Sequence, residues 1–340
     1  MAATEAPTYR ITKSVPLGAP DGWDYLTYDE NSHHVFVSHF DRVTVVDAAS
    51  GAVIGEVTGF AGGTHGIAIA TAQHRGYTDD GEAGIAASFD LSTFKVQKRI
   101  PAKQDADGMV FDPVSAHVFV IDGDSGFVTV IDPKTDAVIT NVSVGSKLEF
   151  AVAGNDGKLY INGAEKNEIV RIDTKSNQID AHWPMAGCER PHGIAIDNEA
   201  HRLFSTCPNQ VMKVLNTDDG AIAATLPIGK GTDAAAFDPK RKRIFSSNGQ
   251  DGTLTVVQEI NPNSFTVIDT VTTAVTGRTM TIDPQSGRIF IVTADIDKSA
   301  PPMSGPPPGG GPNGAPTPPP RRRLPIIPGS LKLLFIDPVG

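Results

Sequence analysis

The chain repeats itself about every 42 residues. A polar residue opens an apolar, strand-like run that closes in an acidic turn, and this phrase returns seven times. Its opening position reads Asp24, His65, Asp107, Glu149, His192, Asp233 and Arg278. A period of this length with strand-like content marks a β-propeller or a related array. Such blades cannot bury their faces alone, so residues 1–340 form a single closed domain rather than the two or three that the length suggests.

Each repeat reads as four strands. The first is apolar and ends in Asp, as in Met109-Val-Phe-Asp112 and Met280-Thr-Ile-Asp283. The second is short, as in Val118-Phe-Val-Ile121. The third is β-branched and ends in Asp, as in Val128-Thr-Val-Ile-Asp132, and the fourth follows a polar turn. The Asp closing strand three gives a second ruler. It recurs at Asp47, Asp90, Asp132 and Asp173, then as Asn216 and Gln258, and last as Asp337, at nearly double the usual spacing. The excess lies in residues 299–329, rich in Pro and Gly, expected to be a flexible insertion in the seventh blade. It is read as a solvated loop, with a lid over the channel as the alternative.

The chain ends just after a third strand, Ser330–Asp337, so the seventh blade lacks its fourth. A spare strand, Tyr9–Leu17, stands before the first blade. Residues 9–17 are expected to complete the last blade and leave no open edge. The fold class is all-β, a seven-bladed propeller of four-stranded antiparallel blades.

At these residues the chain resembles the YVTN-repeat, YncE-like seven-bladed propellers. The pattern stands as Asp107-Gly-Met-Val-Phe-Asp-Pro113, Val118-Phe-Val-Ile121, Val128-Thr-Val-Ile-Asp132 and Val142-Ser-Val-Gly145. The resemblance covers nearly the whole chain and implies the fold, not a function, because such propellers host binding, scaffolding and catalysis alike. It implies no site residues. It also implies that many members are exported. That favours a disulfide between Cys188 and Cys207, which the expected hairpin brings near each other; two unpaired thiols are the alternative. The opening MAATEAPTYR has no signal-peptide pattern, which suits either a cytoplasmic start or a mature periplasmic or secreted chain with an added Met.

In a propeller the seven opening positions surround one channel. Charged groups near an axis are costly unless something binds there or pairs them. Imidazole and carboxylate together suit a divalent metal, with Zn, Mn, Fe, Cu or Ca as candidates, and the expected ligands are His65, Glu149 and His192. The fourth repeat is shortened around Gly154–Gly157, and a one-residue slip would put Leu148 in place of Glu149. Asp107 and Asp233 are candidates for a further ligand or general base, and Arg278 for a substrate anchor. Asp24, Asp107 and Asp233 also have a plainer explanation, since Asp at this position commonly caps backbone groups.

The expected function is a metal-assisted hydrolase or lyase on a small anionic or carbonyl-bearing substrate at the channel mouth. The alternative is a binding or scaffold propeller that captures a cation, sugar, peptide or protein partner. The formal charge of −10 argues against nucleic acid and anionic membranes, and Arg321–Arg323 is too short a basic patch to alter that. No oligomer is required. His33, His34 and His117 fall in turns of the opposite face and are expected to be exposed.

Overall fold

A computed structural model describes residues 8–300, 303–304 and 322–339. It contains seven four-stranded antiparallel sheets in a ring. The third blade is representative, with strands Ala106–Asp112, His117–Asp122, Phe127–Asp132 and Ala137–Ser143 in that order from the axis outward. Each innermost strand touches the innermost strands of both neighbours, and Leu26–Asp29 of blade 1 meets Thr279–Ile282 of blade 7 to close the circle.

The turns explain the repeated aspartates. Asp29, Asp112, Asp197, Asp238 and Asp283 end first strands and accept hydrogen bonds from backbone N–H groups two or three residues on. Asp47, Asp90, Asp132 and Asp173 do the same after third strands. These are Asx turns, so the recurring acidic residue is there to shape the chain. The next requirement is a left-handed residue before strand two. His33, His74, Ala116, Gly157, His201, Lys242 and Gly287 all take it. Only two are Gly, and three of the chain's histidines are thereby accounted for.

The alternating Val, Ile and Phe of adjacent sheets interlock between blades. One cluster joins Phe36 and Val45 of blade 1 to Ile67 and Phe89 of blade 2, and another joins Phe119 and Val130 of blade 3 to Leu159 and Val170 of blade 4. Closure is as expected. Tyr9–Pro16 pairs antiparallel with Lys332–Pro338, from Tyr9 opposite Pro338 to Pro16 opposite Lys332. The paired strand stops one residue short of Leu17. Tyr9 is wholly buried, its ring edge-on to Phe245 of blade 6.

The insertion leaves and re-enters between strands two and three of blade 7. Ile296 bridges Ile326, and Met303–Ser304 pairs with Arg322–Arg323. Residues 301–302 and 305–321, and with them most of the expected flexible segment, lie outside the described residues. Cys188 and Cys207 form a disulfide, which decides between the two alternatives. Among the described residues no helix is long and apolar enough to cross a membrane.

Candidate functional site

The seven opening residues stand at one mouth of the channel, on the face carrying the acidic loops between strands two and three. Two local devices position them. The first is a polar clamp from the second strand of a blade. Asn162 donates its amide to the carbonyl of His192 at 2.5 Å, and the Ser247 hydroxyl donates to the carbonyl of Arg278. The second is glycine directly after each ring histidine. A Cβ on Gly66 would lie 2.2 Å from the Asp107 carbonyl oxygen, and one on Gly193 would lie 2.5 Å from the backbone of Ala234 and Ala235. Only a bare backbone lets inner strands approach so closely near the axis.

Five ring residues form one continuous chain of charge. Arg278 donates to Asp233 at 2.7 Å and approaches Asp24 at 3.9 Å. Asp233 also meets His192 Nδ1 at 3.1 Å, and the same nitrogen lies 3.5 Å from Glu149. Arg278 further donates to the Trp23 carbonyl at 3.1 Å. Leu148 is wholly buried, so Glu149 holds the ring position and the register has not slipped.

His65 stands apart from this chain. Its Nδ1 lies 2.9 Å from the carboxylate of Asp79, a wholly buried residue of the second strand of blade 2. Asp79 also accepts the backbone N–H groups of His65 at 3.0 Å and Gly66 at 2.6 Å. Burial works against a charge on His65, but Asp79, with Asp107 and Asp24 behind it, outweighs burial and pushes the imidazole up to about 10. Burial pushes Asp79 up to about 7 despite those partners.

Asp107, in the next blade, is the ring carboxyl left over. Its Oδ1 is buried and has no hydrogen-bond partner among the described residues. Burial, then the charge of Asp24, hold it well above the usual carboxylate range, with His65 opposing. Burial raises Glu149 and Asp24 as well. Burial also opposes charge on Asp233 and His192, yet Arg278 keeps Asp233 below its ordinary value and the Asp233 hydrogen bond keeps His192 above its own.

One residue further along their strands, Tyr25 of blade 1 and Phe150 of blade 4 meet across the channel. Their ring centroids are 3.8 Å apart at a tilt of 36°. Phe150 also packs against the cluster of blades 6 and 7. This stack forms a floor beneath the charged ring.

The expected metal ligands are therefore divided. Glu149 and His192 are neighbours, whereas His65 is engaged by Asp79. Among the described residues no three His, Cys, Asp or Glu side chains stand where they could jointly hold a metal ion. Sequence reasoning placed Asp79 only among the rim carboxylates of the loop Thr78–Glu82, not as the partner of His65, and it missed Tyr25 and Phe150 as parts of the mouth. Asp79 had a signal: its place on strand two is Ser38, Ile121, Asn162, Thr206, Ser247 or Val292 in the other blades, and the one carboxylate falls in the blade with the half-buried ring histidine.

These charges set a pH dependence of stability. Asp24, Asp79, Asp107 and Glu149 are raised, with Asp122 at about 6 and Glu259 at about 7, so the folded chain keeps protons that the unfolded chain releases from about pH 4. Stability from these groups falls as pH rises through their folded values. His65, also raised, adds stability below its unfolded value that is lost as pH climbs towards about 10. At the acid end, Asp173, Asp233 and Asp337 are lowered, and their stabilisation is lost as pH drops below the unfolded carboxylate range. Calorimetry is expected to place the highest Tm near about pH 5, with Tm lower by about 5 °C or more at pH 8. A Tm that rises from pH 5 to 8 would refute these directions.

Fold and site together define a seven-bladed propeller with a floored, charged channel mouth. The solved structure titled "Streptogramin B lyase structure" is similar to it, with a TM-score of 0.69 and 14% identity over 83% of this chain and 94% of that one. At that identity the likeness speaks for the fold alone. No family model matches the chain, and no curated protein does. The propeller is thus secure, and the narrower resemblance to YVTN-repeat proteins rests on the sequence pattern.

Proposed function

We propose that the charged mouth is an acid–base active site of lyase type, acting on a small molecule that bears a carbonyl group. The observation carrying this reading is the pair of unlike groups on blades 2 and 3. Asp107 is a buried carboxyl with an unpartnered oxygen and a raised affinity for protons. His65 is an imidazolium locked in place by a buried carboxylate, its Nε2 without a protein partner among the described residues. Groups whose environments separate an acid from a base are the usual basis of such assignments.

Asp107 in its ionised form takes the proton from the carbon next to the substrate carbonyl. The C–H electron pair moves toward the carbonyl oxygen, where the His65 Nε2–H stabilises the developing charge. The pair then returns, forms a carbon–carbon double bond and expels the group on the adjacent carbon. The proton held by Asp107 passes to the leaving group, which restores the carboxylate. Arg278, His192 and His65 already have carboxylate partners, so the mouth favours a neutral carbonyl compound over an anion. The lyase named in the similar structure has the same fold, which makes the chemistry compatible with the scaffold.

The test is exchange of the proton next to the carbonyl in D2O, followed by NMR over a panel of esters, lactones and β-substituted ketones. Exchange and elimination are expected with the native chain. Asp107→Asn should slow both by about a hundredfold or more. Equal rates in native and Asp107→Asn protein would end this reading. One observation favours non-catalytic capture instead, the mutual neutralisation of five ring charges. Saturable binding of a panel member without exchange would support that. A divalent ion is the competing source of catalysis, favoured by imidazoles that bond a carboxylate through Nδ1, as metal-bound histidines do. Metal content of chelator-free protein, and activity after chelation, discriminate the two.

A further inference from the structure

The opposite mouth of the channel holds a separate cavity of about 600 Å³. Its walls come from five blades, where innermost strands end and turn toward strand two. Tyr28 belongs to blade 1, Ile196 to blade 5, Phe237 to blade 6 and Ile282 to blade 7. Along the inner strands the Tyr25–Phe150 stack falls between the ring positions and the residues that line this cavity. The volume is within the range that accommodates small organic ligands.

The wall is apolar and aromatic and the rim is acidic. Glu30, Asp197 and Glu199 line the cavity. Asp29 and Asp283 end the adjoining strands. Burial, then Asp283, Glu30 and Asp29, push the Tyr28 phenol up to about 12, consistent with a negative field at that wall. Behind Asp197, the buried Glu259 keeps one carboxylate oxygen unpartnered among the described residues.

The nearby cations are already engaged. Arg241 bonds Asp238 at 3.0 Å, and the Lys240 ammonium reaches the Gln285 carbonyl at 3.4 Å. Lys242 is the informative one. Its ammonium sits 2.9 Å from Asp197 and 2.7 Å from Glu199, and 5.6 Å from the centre of the Phe237 ring. The protein's own side chain thus shows an ammonium group held between carboxylates and an aromatic face. Glu30, exposed at the rim, has no ion-pair partner among the described residues.

We propose that this cavity is a second binding site, for a small organic cation with an apolar or aromatic body. The charge lies toward Glu30 and the Tyr28 ring, and the body rests on Ile196, Phe237 and Ile282. Desolvated cation–aromatic contact and carboxylate attraction supply the selectivity. The proposal is independent of any chemistry at the charged ring.

Calorimetric titration of the full chain with benzyltrimethylammonium tests it, beside benzyl alcohol as a neutral probe of similar shape. Saturable binding of the cation is expected, with benzyl alcohol weaker by about fivefold or more. Glu30→Gln should weaken the cation by a similar factor with Tm unchanged, because the residue is exposed. Asp107→Asn, above the floor, should leave the affinity as it was. The proposal is overturned by absence of saturation, by equal affinity for both probes, or by a loss in Asp107→Asn that Glu30→Gln does not show. Phe237→Leu supplies an independent check on the aromatic wall, provided its Tm shows it folded.

Discussion

A chain shortened to begin at Leu17 is expected not to fold as a monomer. The truncation removes Tyr9–Pro16, the outer strand of blade 7, whose pairing partner Lys332–Pro338 then becomes a bare edge. It also removes two buried side chains, Tyr9 and Val15, each worth about 1.5–3 kcal/mol of burial. Added to the lost ladder, this approaches the whole stability of an ordinary domain, about 5–15 kcal/mol. The exposed edge invites pairing between copies. The expected result is aggregate, or a species without a cooperative thermal transition. A permuted chain that carries residues 8–16 after Val339 should recover the native transition. The backbone allows it, because Val339 donates to the Thr8 carbonyl at 2.9 Å. A truncated chain with native Tm would show that the ring does not need its closing strand.

Asp79→Ala carries the next largest effect. The carboxylate is wholly buried and serves the His65 imidazole and two backbone N–H groups. Alanine leaves those donors unpartnered and removes the counter-charge of a half-buried imidazolium. Breaking such a pair costs about 3–5 kcal/mol, which for a chain of this length corresponds to a Tm lower by about 5 °C. Asp79→Asn separates hydrogen bonding from charge. Its amide oxygen still accepts from the backbone, so about half of the loss should return. His65, without a carboxylate beside it, should then titrate near about 6.5 instead of about 10. NMR of the His65 ring at pH 8 reads this directly. An imidazole still protonated at that pH in Asp79→Asn would mean that other groups hold its charge.

Much of the fold was legible because its determinants are local and periodic. The Asp that closes strands one and three bonds its own turn within two or three residues, so the feature that served as a ruler is the one that shapes each blade. The surplus before Asp337 located the insertion. The unmatched strand at Tyr9 located the closure, since a ring leaves one vacant edge. The site was legible only as a set of positions. Asp24, Asp233 and Arg278 stand in neighbouring blades, and their ion pairs follow from adjacency. The assignment of His65 to a set with Glu149 and His192 did not carry over as geometry. Its partner lies on its own blade, thirteen residues beyond Gly66, inside a strand that reads as ordinary rim.

By itself, the sequence determined the number of blades, their order, the manner of closure and which residues surround the axis, because a repeat states these in its spacing. Only the tertiary structure decided which of those residues meet. The Tyr25–Phe150 floor joins blades that are not neighbours. The disulfide joins Cys188 to Cys207, and the Asp107 Oδ1 is left without a hydrogen-bond partner among the described residues. These outcomes depend on the radius of the channel and on side-chain reach across it. Both are set when all seven blades pack together, so neither is written in the period of any one of them.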